Sequence, residues 1–291
     1  MRSLFFLIVI VTFSSCQFNQ SVHKDLTTGA YMRGDGLGVG DVIIEVNNNP
    51  QNRNTYTEGE KVEFVFNDVF GFEKIDGKAY PGLSMTILRN ETDTILHEED
   101  LMVELGETGT DLSPLQLRAF FGSGNMTDND DYEVFINIWD KKGDGTYTYE
   151  MPFTVAKNNL FEVTAEDLTC ERIFLWNELA ELEVVSSEVP PSKYALVFEA
   201  VEGLTVLDGM VYPRVRILLE DNTGLALIQS DNIFEDIAET GFSYDVFKGE
   251  QIPISLTFAN NKVANPVKLQ AVFEDSKSDK KITISAEFYI K

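Results

Sequence analysis

Few residues in this chain carry chemistry by type and spacing, and each has a plainer reading beside the sharp one. Asp140-Lys141-Lys142-Gly143-Asp144-Gly145 opens like a calcium loop. Its third position is Lys142 and its twelfth Met151, where such a loop needs an oxygen ligand and a bidentate Glu. It reads as a hairpin turn. Asp128-Asn129-Asp130-Asp131 gathers more oxygen atoms in one loop and is the better cation candidate, against the plainer reading of an acidic solvated loop. His23 and His97 have no metal-site spacing. Gly122-Ser123-Gly124 is not a nucleophile elbow. Gly34, Gly36, Gly38 and Gly40 precede a strand, with no helix or Lys-Ser/Thr after them, so no phosphate loop is present. With no nucleophile, metal set or phosphate loop, the expectation is a non-enzyme that uses no cofactor and no metal.

Trp139 is the most informative single residue. It shares a strand face with Glu133 and Asn137, and an internal repeat, described below, sets Glu274 opposite it. A position that accepts Glu is expected to be wet, and a wet Trp can stack on a sugar ring or anchor a protein. The alternative is a rim cap over its own core. The candidate binding surface is therefore Trp139 with Asp128, Asp130 and Asp131, placed beside one another. Trp176 is expected in the core, as is Cys170, a small apolar residue rather than a reactive thiol.

Charge narrows the partners. The formal charge is −25, with 48 Asp and Glu against 23 Lys and Arg. Nucleic acid is excluded as a partner, since phosphates need clustered cations.

The N-terminus supplies an address. Met1-Arg2-Ser3 is a short basic start, Leu4 to Phe13 is apolar but too short to span a bilayer, and Ser14-Ser15-Cys16 follows. Small residues directly before a Cys resemble the lipobox of bacterial lipoprotein precursors, although Phe13 stands where that family usually has Leu. The resemblance implies removal of residues 1–15 and acylation of Cys16 with fatty chains such as palmitate. Cys170 then has no disulfide partner, since these are the two cysteines. Residues 16–24 read as a lipid-anchored tether. In that family Asp after the Cys retains the protein at the inner membrane; Gln17 stands there, which implies the outer membrane of a Gram-negative envelope.

The elements that position these residues follow from a duplication. Asp76 to Met102 recurs about 132 residues later as Asp208 to Phe234, without a gap. Asp76-Gly77 matches Asp208-Gly209, Tyr80-Pro81 matches Tyr212-Pro213, and Asn90 matches Asn222. Leu83, Met85 and Ile87 alternate with polar neighbours, as do Val215, Ile217 and Leu219, and a polar turn follows each run. The pattern is a β-hairpin with one apolar face. Leu115, Leu117, Ala119 and Phe121 match Ile252, Ile254, Leu256 and Phe258, and Pro253 argues for strands there rather than helices. Tyr132, Val134, Ile136 and Ile138 share a face, and so do Tyr147, Tyr149, Met151, Phe153 and Val155. Only short stretches, such as Ile233 to Glu239, hint at a helical turn.

The expected fold is all-β: two tandem, internally duplicated sandwiches, residues 25–157 and 158–291, with an architecture that resembles immunoglobulin-like domains. The expected function is a lipid-anchored, non-catalytic binding or scaffold protein of the cell envelope, with an unknown protein or glycan partner. The alternative is a glycan-binding lipoprotein of a polysaccharide uptake system, which likewise strings small β-domains from a lipidated Cys. A hydrolase ranks below both.

Overall fold

The computed structural model describes residues 20–258 and 263–291. The expected signal segment and the expected acylation site Cys16 lie outside them. The first copy contributes β1 (Gln20–Lys24), β2 (Tyr31–Asp35), β3 (Asp41–Val46), β4 (Lys61–Asn67), β5 (Pro81–Arg89) and β6 (Asp93–Glu98). It continues with β7 (Leu117–Gly122), β8 (Asp131–Asp140) and β9 (Thr146–Ala156). One sheet runs β1-β2-β9-β8-β5-β6 and another contains β3-β4-β7.

The second copy contributes β10 (Glu162–Glu166), β11 (Arg172–Asn177), β12 (Ser192–Glu199) and β13 (Pro213–Glu220). Then come β14 (Ala226–Ser230), β15 (Gln251–Phe258), β16 (Val267–Asp275) and β17 (Lys281–Ile290). Their sheets run β10-β17-β16-β13-β14 and β11-β12-β15. β1 aside, the strand orders of the two copies are the same. Each pairs its first, second and fifth sandwich strands in one sheet and its third, fourth, sixth and seventh in the other, which is the immunoglobulin-like arrangement.

Period-2 patterning explains the strands. In β8, Tyr132, Val134, Ile136 and Ile138 are buried while their neighbours are not, and β15 alternates in the same way through Ile252, Ile254, Leu256 and Phe258. Pro81 and Pro213 open β5 and β13, where a missing N–H costs least. Asp76 and Gly77 take positive φ values of 52° and 79°, and Asp208 and Gly209 repeat them at 50° and 76°.

By compactness the chain divides into two units that do not follow the copies. One takes in the chain up to Val42, Phe66–Leu117 and Glu133–Pro152; the other is Ile43–Val65, Arg118–Tyr132 and Phe153–Lys291. In the first, Phe66 meets Tyr147 and Tyr149 edge-on at 6.3 and 5.8 Å. In the second, Phe121 and Phe153 lie 5.2 Å apart and Tyr132 stacks on Phe153 at 5.3 Å. A larger cluster there joins Phe198, Phe258, Phe273 and Phe288. No helix of the described residues is long and apolar enough to cross a membrane.

Three expectations need correction. Residues 20–24, read as tether, form β1 and pair with β2 from Gln20–Asp35 to Lys24–Tyr31. Its side chains are all exposed, so backbone pairing, helped by the Gln20 side-chain amide donating to Asp35 (3.1 Å), makes the strand, and no periodicity announced it. Trp176 is half-buried outside the main core, on a small cluster with Phe174, Ala195 and Val197, because it falls on the opposite face of β11 from Leu175. A one-turn helix at Val103–Thr108 had no pattern to foretell it, whereas the turn expected within Ile233 to Glu239 is present as a 3-10 turn at Glu235–Ile237.

Candidate functional site

Trp139 and the acidic loop are not neighbours. Asp131 opens β8 and Trp139 is its penultimate residue, so about 26 Å of strand separates them at the rise of an extended chain. The loop is held by its own contacts: the Thr127 amide donates to the Tyr132 hydroxyl (2.8 Å) and the Asn129 amide to Thr127 Oγ1 (3.0 Å). Among the described residues no group of three or more His, Cys, Asp or Glu side chains is placed to hold a metal ion.

Trp139 sits half-buried on the outer face of its sheet, opposite in direction to Ile138. Its indole fills the space above Gly82 of β5: a Cβ added at Gly82 would lie 2.1 Å from Cε2 and 2.6 Å from Nε1. The second copy solves the same place differently. Arg214 stands where Gly82 does and is paired across the strands with Glu274, their charged groups 3.3 Å apart. Arg216 holds the same carboxylate at 3.0 Å. An aromatic-on-glycine contact in one copy is thus an ion pair in the other.

Two further aromatics share the face of Trp139, and sequence reading missed both. Phe135, four residues back on β8, is half-buried on the same side, and its counterpart in β16 is Gln270. Tyr31 of β2 is 37% exposed and lies opposite Glu150 of β9. In the second copy Glu162 of β10 lies opposite Ser285, the residue matching Glu150, so Glu162 takes the place of Tyr31. Three aromatics on one face therefore become Glu162, Gln270 and Glu274 on the other. The Phe135–Gln270 exchange was available in the repeat alignment; Tyr31 was not, because β2 itself was not foreseen.

The surroundings are polar. Ser84, Thr86, Asn137, Thr148 and Glu150 are part-exposed between and beside the rings, and Thr86 Oγ1 meets His97 Nδ1 at 2.9 Å. The carboxyl of Glu133 lies above the usual range through burial first, then through Glu150 and Glu91 nearby.

Other candidates are structural. Ser123 is fully buried and donates to the Thr57 carbonyl at 2.8 Å. Cys170 donates to the carbonyls of Arg172 (3.0 Å) and Glu199 (3.1 Å), and burial pushes its thiol up to about 11, so it is protonated at neutral pH. The turn that opens at Asp140 is a clamp. Asp140 is buried and accepts from the amides of Glu73 (2.5 Å) and Lys142 (3.0 Å). Asp275 does the same with Thr205 (2.9 Å) and Lys277 (3.0 Å).

No family model matches the chain, and no curated protein does. Among solved structures it is similar to the chicken CNTN1 FN1–FN3 domains at 9% identity and a TM-score of 0.22, over 91% of this chain and 79% of that one. A likeness of that size adds nothing to the fold read from the strand order itself.

Proposed function

We propose that this protein is a non-catalytic binding module of the cell envelope, held to the outer membrane through acylated Cys16, with the outer face of β2, β9, β8 and β5 as its ligand surface. One observation supports the reading: the first copy carries Tyr31, Phe135 and Trp139 where the second, on the same strand order, carries Glu162, Gln270 and Glu274. Duplicated folds share what the core demands, so aromatics at these three outer positions in one copy alone, beyond the packing of Trp139 on Gly82, support a surface that meets a ligand. Aromatics with a wet side supply most of the binding free energy where they anchor a partner.

The experiment compares detergent-solubilised full chain with a Tyr31→Ala/Phe135→Ala/Trp139→Ala variant for binding to isolated envelopes that lack the protein. The expected result is at least a tenfold loss in the variant, measured well below its melting temperature, where its far-ultraviolet circular dichroism matches the parent's. Equal binding by both would remove the ligand surface from this face.

A further inference from the structure

Resting on that surface assignment, we infer that its ligand is an uncharged or amino-bearing glycan chain that spans several sugar units, rather than a protein or an acidic polysaccharide. Spacing comes first. Phe135 and Trp139 are four residues apart on one strand, about 13 Å, and β2 lies two strands from β8, about 10 Å across the sheet. Those gaps exceed one sugar ring, so a monosaccharide meets a single aromatic while a chain meets two or three.

The gaps are also filled in a particular way. A protein hot spot is a contiguous, water-free cluster ringed by polar groups. Here the order is reversed. Asn137 stands between the two β8 aromatics, and Thr148 and Glu150 of β9 lie between Tyr31 and β8. A sugar presents apolar C–H faces and hydroxyl edges at once, which suits separated rings with amide, hydroxyl and carboxylate groups between them. Stacked nucleotide bases would use the same rings, but a chain of charge −25 repels their phosphates.

Charge selects among glycans. Glu133 and Glu150 share the face, and burial together with Glu150 and Glu91 already raises the Glu133 carboxyl. Arg33, opposite Thr148, and Lys24, opposite Tyr31, stand on the β1–β2 flank rather than on β8, and Lys141, just past Trp139, is held by Asp100. A uronate or sulfate laid along β8 adds repulsion, whereas a hydroxyl or an ammonium finds acceptors.

The test is affinity electrophoresis of the full chain in gels containing galactomannan, mixed-linkage glucan, chitosan or polygalacturonate, repeated with the triple variant. Retardation by a neutral or amino polymer, reduced at least tenfold in the variant, supports the inference. Affinity should also climb with oligosaccharide length until both β8 aromatics are covered. Strongest retardation by polygalacturonate overturns the charge argument. If no polymer retards the protein while envelope binding persists and is destroyed by protease, the ligand is a protein: this inference fails and the surface assignment stands. If envelope binding is also absent, or unaffected by the triple substitution, the surface assignment fails with it.

Discussion

Trp139 shows how much a single residue depends on its cross-strand partner. Its indole occupies the volume that any side chain at Gly82 would need, so Gly82→Arg alone should cost about 1–3 kcal/mol by overpacking. The second copy supplies the remedy, since Arg214 and Glu274 sit side by side there. Gly82→Arg combined with Trp139→Glu should recover most of that loss in urea denaturation while binding remains lost. A double variant no more stable than the single one would show that the two sites are not interchangeable. Tyr56 makes the opposite case. It is fully buried, and its hydroxyl has no hydrogen-bond partner among the described residues. Tyr56→Phe removes an unmet desolvation cost and should be neutral or stabilising by about 1 kcal/mol. A clear destabilisation would reveal a partner for the hydroxyl.

At the level of elements, the two Asp-opened turns repeat a device. The carboxylates of Asp140 and Asp275 tie the turn after the sixth sandwich strand to the loop after the second. Beside each, a lysine covers the repeated tyrosine: Lys142 over Tyr80 at 5.0 Å and Lys277 over Tyr212 at 4.2 Å. Burial alone would raise the Asp275 carboxyl, but bonds from Thr205, Ser278 and Lys277 outweigh it and leave it below its ordinary 3.8. A folded pKa below the unfolded one means stability that is present above the unfolded value and lost as pH falls through the folded value. Asp275→Asn should therefore cost about 2 kcal/mol at neutral pH and flatten part of the acid limb of the stability curve. An unchanged acid limb would place the sensitivity elsewhere. These turns also mark how far the sequence could be read. Asp-Gly, Tyr-Pro and Asp140/Asp275 stood out because turn chemistry and repetition are local. The role of Asp140 did not, because its partner Glu73 lies 67 residues away in the chain. Trp139 was legible as an exception to its copy, whereas its separation from Asp131 by the length of β8 was not, since closeness along the chain becomes distance along a strand.

At the scale of the whole molecule the anchor is the first thing to measure. Cys16→Ala should move the protein from the membrane to the soluble fraction, and a variant that remains membrane-bound would rule out acylation there. The unforeseen β1 changes what the proposed anchor would do. With strand pairing already established at Gln20, only residues 17–19 separate it from Cys16, and that stretch reaches about 14 Å when fully extended. A lipid on Cys16 would therefore act as a short leash rather than a stalk. The β1 edge could pivot but not wander, and the search for a ligand would fall to the ligand. Ten Gly-Ser residues inserted after Gln17 should leave the fold and solution affinity unchanged while raising the labelled edge away from the bilayer in energy-transfer measurements. No change in that distance would mean that something other than the leash holds the edge down.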